Sequence, residues 1–108
     1  MNFTEYQNKA ITTKIYKPEV ALAYVTLGIT GEAGEVAEKV KKIIRDDNGV
    51  VSEAKKVEIS KELGDVLWYL AAMCDELGLD FDEVAQQNID KLASRKERSV
   101  LTGSGDNR

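Results

Sequence analysis

The stretch "GITGEAGEVAEKVKK", residues 28–42, has the apolar spacing of a helix interior, yet glycine and glutamate each recur in it at every third position. The glycines are Gly28, Gly31 and Gly34, and the glutamates are Glu32, Glu35 and Glu38. Each glycine inside a helix costs about 1 kcal/mol relative to alanine, and carboxylates in one row repel one another. We therefore expect this segment to serve a purpose other than helix stability.

The residues on either side predict a long helix, a turn and a second long helix. Apolar residues at the helical period extend the first of these helices over residues 18–45. They are Leu22, Val25, Ile29, Ala33, Val36, Val40 and Ile43. The segment "RDDNGVVSE" then interrupts the period, with Asn48-Gly49 as a turn signal and Ser52 as a candidate N-cap. The next helix spans residues 53–77 and buries Ile59, Leu63, Val66, Leu67, Leu70, Cys74 and Leu77.

A short helix precedes this pair and another follows it. The first stops before Pro18, because the residue before a proline disfavours the helical conformation. Asp80 and Glu83 resemble a capping box that opens the last helix, which fades near Arg98. The predicted fold is therefore all-α and four-helix bundle-like, with a long antiparallel central hairpin. Residues 1–98 form a single domain, and residues 99–108 are expected to be a flexible tail, unless they close over phosphates.

Composition excludes several classes of function. A net charge of −4 argues against nucleic acid as the main partner, and no apolar run is long enough to span a membrane. The single cysteine, Cys74, suits a reducing cytoplasm, where we expect the protein to reside. Histidine is absent, which removes the usual general base at neutral pH and the commonest zinc ligand. Catalysis would have to depend on carboxylates, lysines, tyrosines or a bound hard metal ion.

Four carboxylates should converge between the two long helices. "Glu-x-x-Glu" at residues 32 and 35 is answered by "Glu-x-x-Asp" at residues 62 and 65. In an antiparallel hairpin that turns at Asn48-Gly49, Glu32 faces Asp65 and Glu35 faces Glu62, about 20 Å from the turn. All four lie to the same rotational side of the apolar stripes. Such a cluster needs a neutralising cation, and oxygen ligands favour Mg²⁺ or Mn²⁺ over zinc.

The glycines and the lysines each allow two interpretations. Glutamate side chains lean over the preceding turn, so the missing side chains at Gly28 and Gly31 leave space for ions or ligand atoms, or for another helix. Lys39 and Lys42 share the acidic flank and could contact phosphate, but they could equally form i,i+4 pairs with Glu35 and Glu38.

Further candidates for ligand contact lie on the last two helices. Tyr69 follows Asp65 by one turn and could contact a ligand or pack in an interface, whereas we interpret Trp68 as a packing residue. Asn88, Lys91 and Arg95 form one polar ridge of the last helix. A solvated face explains the two cations of this ridge but not the amide, which lies within the apolar stripe and needs a partner.

The segments "GEAGEVAEKVKK" and "KELGDVLWYL", together with "NIDKLASR", resemble the MazG-like nucleoside triphosphate pyrophosphohydrolases. This resemblance implies an all-α MazG fold assembled as a homodimer or homotetramer, and Mg²⁺-dependent cleavage of a nucleoside triphosphate between the α and β phosphates. It implies Glu32, Glu35, Glu62 and Asp65 as metal ligands, and Tyr69, Asn88, Lys91 and Arg95 as nucleotide contacts. A glutamate that is not fully used as a ligand, Glu35 or Glu38, could then accept the proton of the attacking water.

A second apolar patch on the long first helix of the hairpin also predicts a homo-oligomer. Val20, Tyr24 and Leu27 lie opposite its main stripe, and a helix that is apolar on two sides is usually buried on two sides. The alternative to an enzyme is a non-catalytic helical oligomer that binds metal or nucleotide as a regulator. A third possibility is a purely structural bundle whose carboxylates only solubilise its surface.

Overall fold

The structure, a computed structural model, describes residues 1–108 and contains four α-helices and no strand. They are α1 (Phe3–Ala10), α2 (Ala21–Asp46), α3 (Glu53–Glu76) and α4 (Phe81–Glu97). Two 3₁₀ turns, Ile11–Thr13 and Pro18–Val20, connect α1 to α2, so α2 begins three residues later than the sequence predicted. The all-α prediction is confirmed. None of the helices combines the length and the hydropathy that a membrane span requires.

Helices α2 and α3 form the antiparallel hairpin around the predicted turn. Asn48 and Gly49 have left-handed backbones, with φ of 54° and 76°, and the Gly49 N–H donates to the Ile43 carbonyl at 3.1 Å. Glycine adopts this conformation without steric cost, and asparagine tolerates it better than most residues. Ser52 is the N-cap of α3, since its side-chain oxygen accepts from the Lys55 N–H at 3.2 Å. Local sequence chemistry therefore sets where the hairpin turns.

The core lies where α1 crosses the hairpin. Ala10, Ala71, Cys74 and Phe81 are buried together, with Trp68 among the partly buried residues packed against them. Gln7 of α1 is also buried and connects α1 to the start of α4. Its amide group donates to the Leu79 carbonyl and accepts from the Phe81 N–H, both at 2.9 Å. Helix α4 therefore packs mainly against α1, and only its first residue, Phe81, joins Ala71 and Cys74 of α3 in the core.

Several side chains predicted as core are exposed. Between 37% and 54% of the surface of each remains accessible for Leu22, Val40, Leu63, Leu70 and Leu77. The periodicity is helical as predicted, but α1 covers only one side of the hairpin within the chain. The burial predicted for these residues is therefore not found within one chain.

The tail predicted to be flexible folds against the end of α4. The Arg108 guanidinium donates to the carbonyls of Val100, Leu101 and Gly105, at 2.7–3.2 Å. Arg95 is buried beneath it and donates to the carbonyl oxygens of Gly105 and Asp106, at 3.4 and 2.9 Å.

Candidate functional site

Three acidic side chains meet on one flank of the hairpin. Glu32 of α2 and Glu62 and Asp65 of α3 each offer an oxygen, and these oxygens lie within 4.8 Å of one another. The antiparallel register and the shared rotational flank bring them together from positions about thirty residues apart. The structure thus assembles three of the four carboxylates that the sequence placed in one volume.

The other acidic candidates have different surroundings. Glu35 is exposed and is not part of the group of three, although its charge still acts on Glu32. One turn along α2 rotates it by about 60° from Glu32, toward solvent. Glu38 lies farther out and pairs with Lys41 at 2.9 Å instead of with Lys42. This pairing lowers the pKa of Glu38, chiefly through the hydrogen bond from Lys41.

The three carboxylates repel one another in the absence of a cation. The pKa of Glu32 is raised above its ordinary value, first by partial burial and then by the negative charges of Asp65, Glu62 and Glu35. Lys39 is the one cation that the structure pairs with this group, with its Nζ 3.8 Å from Glu62 Oε1. An all-oxygen donor set with excess negative charge matches the preference of a hard divalent cation. Mg²⁺ and Mn²⁺ therefore fit these residues.

A cleft with a volume of ≈ 330 Å³ adjoins the carboxylates. Thr13, Glu32, Asp65, Trp68 and Tyr69 line it. The Trp68 indole N–H donates to the Ala10 carbonyl at 3.1 Å and to Thr13 Oγ1 at 2.9 Å, which fixes the ring against the 3₁₀ turn after α1. Sequence reasoning assigned Trp68 to packing only, whereas the structure also places it in the wall of the cleft.

The two aromatic rings that line this cleft, Trp68 and Tyr69, belong to a cluster of four that also contains Tyr16 and Tyr24. Trp68 and Tyr69 meet edge to face at 5.0 Å, and Tyr16 stacks on Tyr24 at 5.1 Å between ring centroids. Burial, the neighbouring Tyr24 and the charges of Glu32 and Asp65 raise the pKa of Tyr69. Tyr69 is therefore protonated at neutral pH and can donate a hydrogen bond to an anion. In the sequence, the aromatic residues within 16–24 and 68–69 were the signal that could have indicated this aromatic wall of the cleft.

The glycine beneath the aromatic wall, Gly28, matches the second of its two interpretations, the close approach of another helix. A Cβ at Gly28 would lie 2.1–2.5 Å from the Tyr69 ring. The Tyr69 ring therefore fills the space that the first interpretation left for ions or ligand atoms. Gly31 and Gly34 have open space at the same position. The close approach of α3 to α2 at Gly28 thus explains one of the three glycines.

We expect Gly28→Ala to destabilise the protein and Gly34→Ala to stabilise it. At position 28 the methyl group displaces Tyr69, and overpacking costs about 1–3 kcal/mol, more than the gain of about 1 kcal/mol in helix propensity. At position 34 only the propensity gain remains. Urea unfolding of both variants measures the difference, and equal effects would mean that the ring does not rest on Gly28.

The remaining candidates do not reach the cleft. Lys42, Asn88 and Lys91 are exposed and do not line it. Asn88 and Lys91 lie on α4, which packs against α1, so the amide expected to need a partner faces solvent. Arg95 differs most from expectation, because its guanidinium is buried and bonded to tail carbonyls. Of the residues predicted to bind substrate, Tyr69 borders the cleft and Lys39 pairs with a carboxylate of the site.

The fold and the site define a class: all-α proteins in which a helical hairpin presents clustered carboxylates beside an aromatic cleft. Residues 22–100 match the family model of the MazG nucleotide pyrophosphohydrolase domain, and the chain belongs to this family. It is also 46% identical over 114 residues to the "Gene 37 protein" of Mycobacterium phage L5, with 100% of both chains covered. No solved structure is significantly similar to the chain.

Proposed function

We propose that the protein is a Mg²⁺-dependent nucleoside triphosphate pyrophosphohydrolase. In the proposed reaction a water oxygen bonds to the α-phosphorus and the bond from that phosphorus to the α–β bridging oxygen breaks. The products are a nucleoside monophosphate and pyrophosphate. The observation that supports this proposal best is the group of three carboxylates, with oxygens within 4.8 Å of one another, at the edge of the cleft. Family membership points to the same chemistry.

The carboxylates divide into ligands and a base. The cation, Mg²⁺ or Mn²⁺, would be held by Glu32, Glu62 and Asp65. Glu35 could join these ligands, because it is close enough for its charge to act on Glu32. A cation held there would screen the charge of the triphosphate and lower the pKa of a bound water molecule. Glu35 is the better candidate to accept the water proton, because Lys41 lowers the pKa of Glu38 and makes it the weaker base.

The substrate would lie across the carboxylate edge with its nucleoside in the cleft. The volume of ≈ 330 Å³ falls at the lower end of the range of about 300–1,000 Å³ for ligand pockets. Tyr69 can donate to a phosphate oxygen, and Lys39 can exchange its weak contact with Glu62 for a phosphate. Trp68 offers an indole face on which a base could stack, an interaction worth about 1–3 kcal/mol.

To contact substrate, Asn88 and Lys91 would have to reach the carboxylate site of a neighbouring copy of the chain. They are exposed and do not line the cleft beside the carboxylates of their own chain. As substrate contacts they would therefore require an assembly in which α4 of one copy approaches the carboxylates of another. For Arg95 the same role would also require the tail to release its guanidinium.

Turnover of a nucleotide panel tests the proposal. Purified protein is incubated with ribo- and deoxyribonucleoside triphosphates, with Mg²⁺ or with EDTA, and both pyrophosphate and orthophosphate are measured. We expect pyrophosphate release that depends on Mg²⁺, without orthophosphate. Nucleotide binding without turnover would instead support the regulatory alternative, and neither binding nor turnover would leave a structural bundle.

A further inference from the structure

The indole N–H of Trp68 has two acceptors in the 3₁₀ turn that follows α1. It donates to Thr13 Oγ1 at 2.9 Å and to the Ala10 carbonyl at 3.1 Å. The Thr13 hydroxyl donates in turn to the same Ala10 carbonyl, at 2.7 Å. The three groups therefore form a closed triangle of hydrogen bonds between the turn and α3. Because a hydroxyl can both accept and donate, Thr13 takes part in two of the three bonds.

This triangle sets an angle that the backbone of α3 leaves open. The second side-chain torsion of a tryptophan has broad energy wells, so the groups around the ring decide its plane. The Trp68 ring meets Tyr16 and Tyr69 edge to face, at 6.4 and 5.0 Å between centroids. Contacts of this kind are favourable over centroid distances of about 4.5–7 Å, so they leave the ring some freedom. A hydrogen bond from the indole N–H requires a definite direction and therefore selects one position of the ring.

Thr13 and Trp68 both line the cleft beside the carboxylates. In the proposed function the indole face of Trp68 receives the nucleobase, and a rotation of the ring would change that face. The Thr13 hydroxyl has already used its proton toward Ala10 and one lone pair toward Trp68. It has no proton left for a ligand, so its main effect on a bound nucleotide passes through the ring.

We propose that Thr13 is a positioning residue, whose hydroxyl holds the Trp68 ring at the angle at which the cleft accepts the nucleobase. This inference rests on the proposed function, because it assumes a nucleotide in the cleft. A ring that is already fixed before the ligand arrives loses less freedom on binding, which improves affinity without a new contact. The ring does not act on the phosphates. Loss of the hydroxyl should therefore raise KM and leave kcat nearly unchanged.

The neighbouring Thr12 provides a matched control. Its hydroxyl donates to the Lys9 carbonyl, three residues back, at 2.6 Å, as the hydroxyl of Thr13 does to Ala10. Thr12 bonds to no other side chain and does not line the cleft. Thr12→Val and Thr13→Val therefore remove the same kind of local bond from the turn, but only Thr13→Val removes a partner of the indole. Both positions are exposed, so both variants should fold.

Steady-state turnover of the best substrate from the nucleotide panel measures the effect on binding. Thr13→Val should raise KM about fivefold with kcat within about twofold of the wild type, since one lost hydrogen bond corresponds to a factor of about two to ten. Thr13→Ser keeps the hydroxyl and should restore KM to within about twofold of the wild type. Thr12→Val should leave KM equally close to the wild-type value.

A second measurement follows the indole itself. Because the chain has one tryptophan, its two-dimensional N–H spectrum contains a single indole signal. Exchange of this proton with deuterated solvent should be about fivefold faster in Thr13→Val, because the N–H has lost one of its two acceptors. The exchange rate should be unchanged in Thr12→Val and in Thr13→Ser.

Each contrary outcome has a defined meaning. A wild-type KM in Thr13→Val overturns the inference even if the protein becomes less stable, because the bond would then only fasten the turn. Equal increases of KM in Thr12→Val and Thr13→Val also overturn it, as does a raised KM with unchanged indole exchange. A wild type that binds no nucleotide overturns the proposed function and the inference together. When the wild type turns over nucleotide, any of the three earlier results overturns the inference alone.

Discussion

Asp65→Asn should lower the rate of pyrophosphate release about a thousandfold while the protein remains folded. The substitution keeps the size of the side chain but removes the negative charge from one of the three clustered carboxylates. In the proposed mechanism Asp65 acts by holding the cation, and weakening a group that stabilises transition-state charge typically costs about 10²–10³ in rate. Because Asp65 is exposed, the protein should still fold with an amide at this position. Initial rates at saturating Mg²⁺ and nucleotide measure the effect.

Glu58→Gln is the matched control for this variant. Glu58 lies one turn before Glu62 on α3 but pairs with Lys55 at 3.2 Å and is not among the three clustered carboxylates. We expect its rate to stay within about twofold of the wild type, since exposed ion pairs contribute little. Turnover by Asp65→Asn at the wild-type rate would remove the carboxylate group from the proposed mechanism.

Glu32→Gln should change stability in opposite directions without and with Mg²⁺. Without divalent cations at pH 7, the variant should unfold at a higher temperature than the wild type, because it removes a charge that Asp65 and Glu62 repel. With excess Mg²⁺ the wild type gains about 2.7 kcal/mol at a hundredfold excess over its dissociation constant. The variant has lost a ligand and should gain little, so it becomes the less stable protein.

The pH dependence of this difference follows from the pKa of Glu32. Folding raises that pKa above the ordinary value of 4.5, so the folded protein holds the Glu32 proton more tightly than the unfolded chain. The destabilisation is therefore absent below about pH 4.5 and grows as pH rises through the raised pKa. Thermal unfolding in EDTA should show equal stabilities near pH 4 and a more stable variant at pH 7. A variant that is less stable at pH 7 in EDTA would show that Glu32 is not repelled.

Local signals in the sequence predicted the elements that position the site. The turn at Asn48-Gly49 and the cap at Ser52 fix where the hairpin reverses, and both depend on backbone chemistry at neighbouring residues. Once the turn is known, the helical period decides which side chains share a flank. The approach of Glu32, Glu62 and Asp65 could therefore be predicted from the sequence.

The features that the sequence did not predict depend on contacts between distant segments. Gln7 bonds to Leu79 and Phe81, more than seventy residues away, and periodicity carries no information about such a pair. The contact between the Tyr69 ring and Gly28 likewise joins two residues that are distant in the sequence. The helical period places Leu63 in the apolar stripe of α3, but whether other residues of its own chain cover it depends on the packing of α1.

The position of Trp68 gives the protein an internal optical reporter. It is the single tryptophan of the chain, it lines the same cleft as Glu32 and Asp65, and its indole N–H is bonded to Ala10 and Thr13. Intrinsic fluorescence excited at the indole band therefore comes from this one location. Occupancy of the cleft can be followed by emission intensity and wavelength, without attached dyes, in variants that no longer turn over.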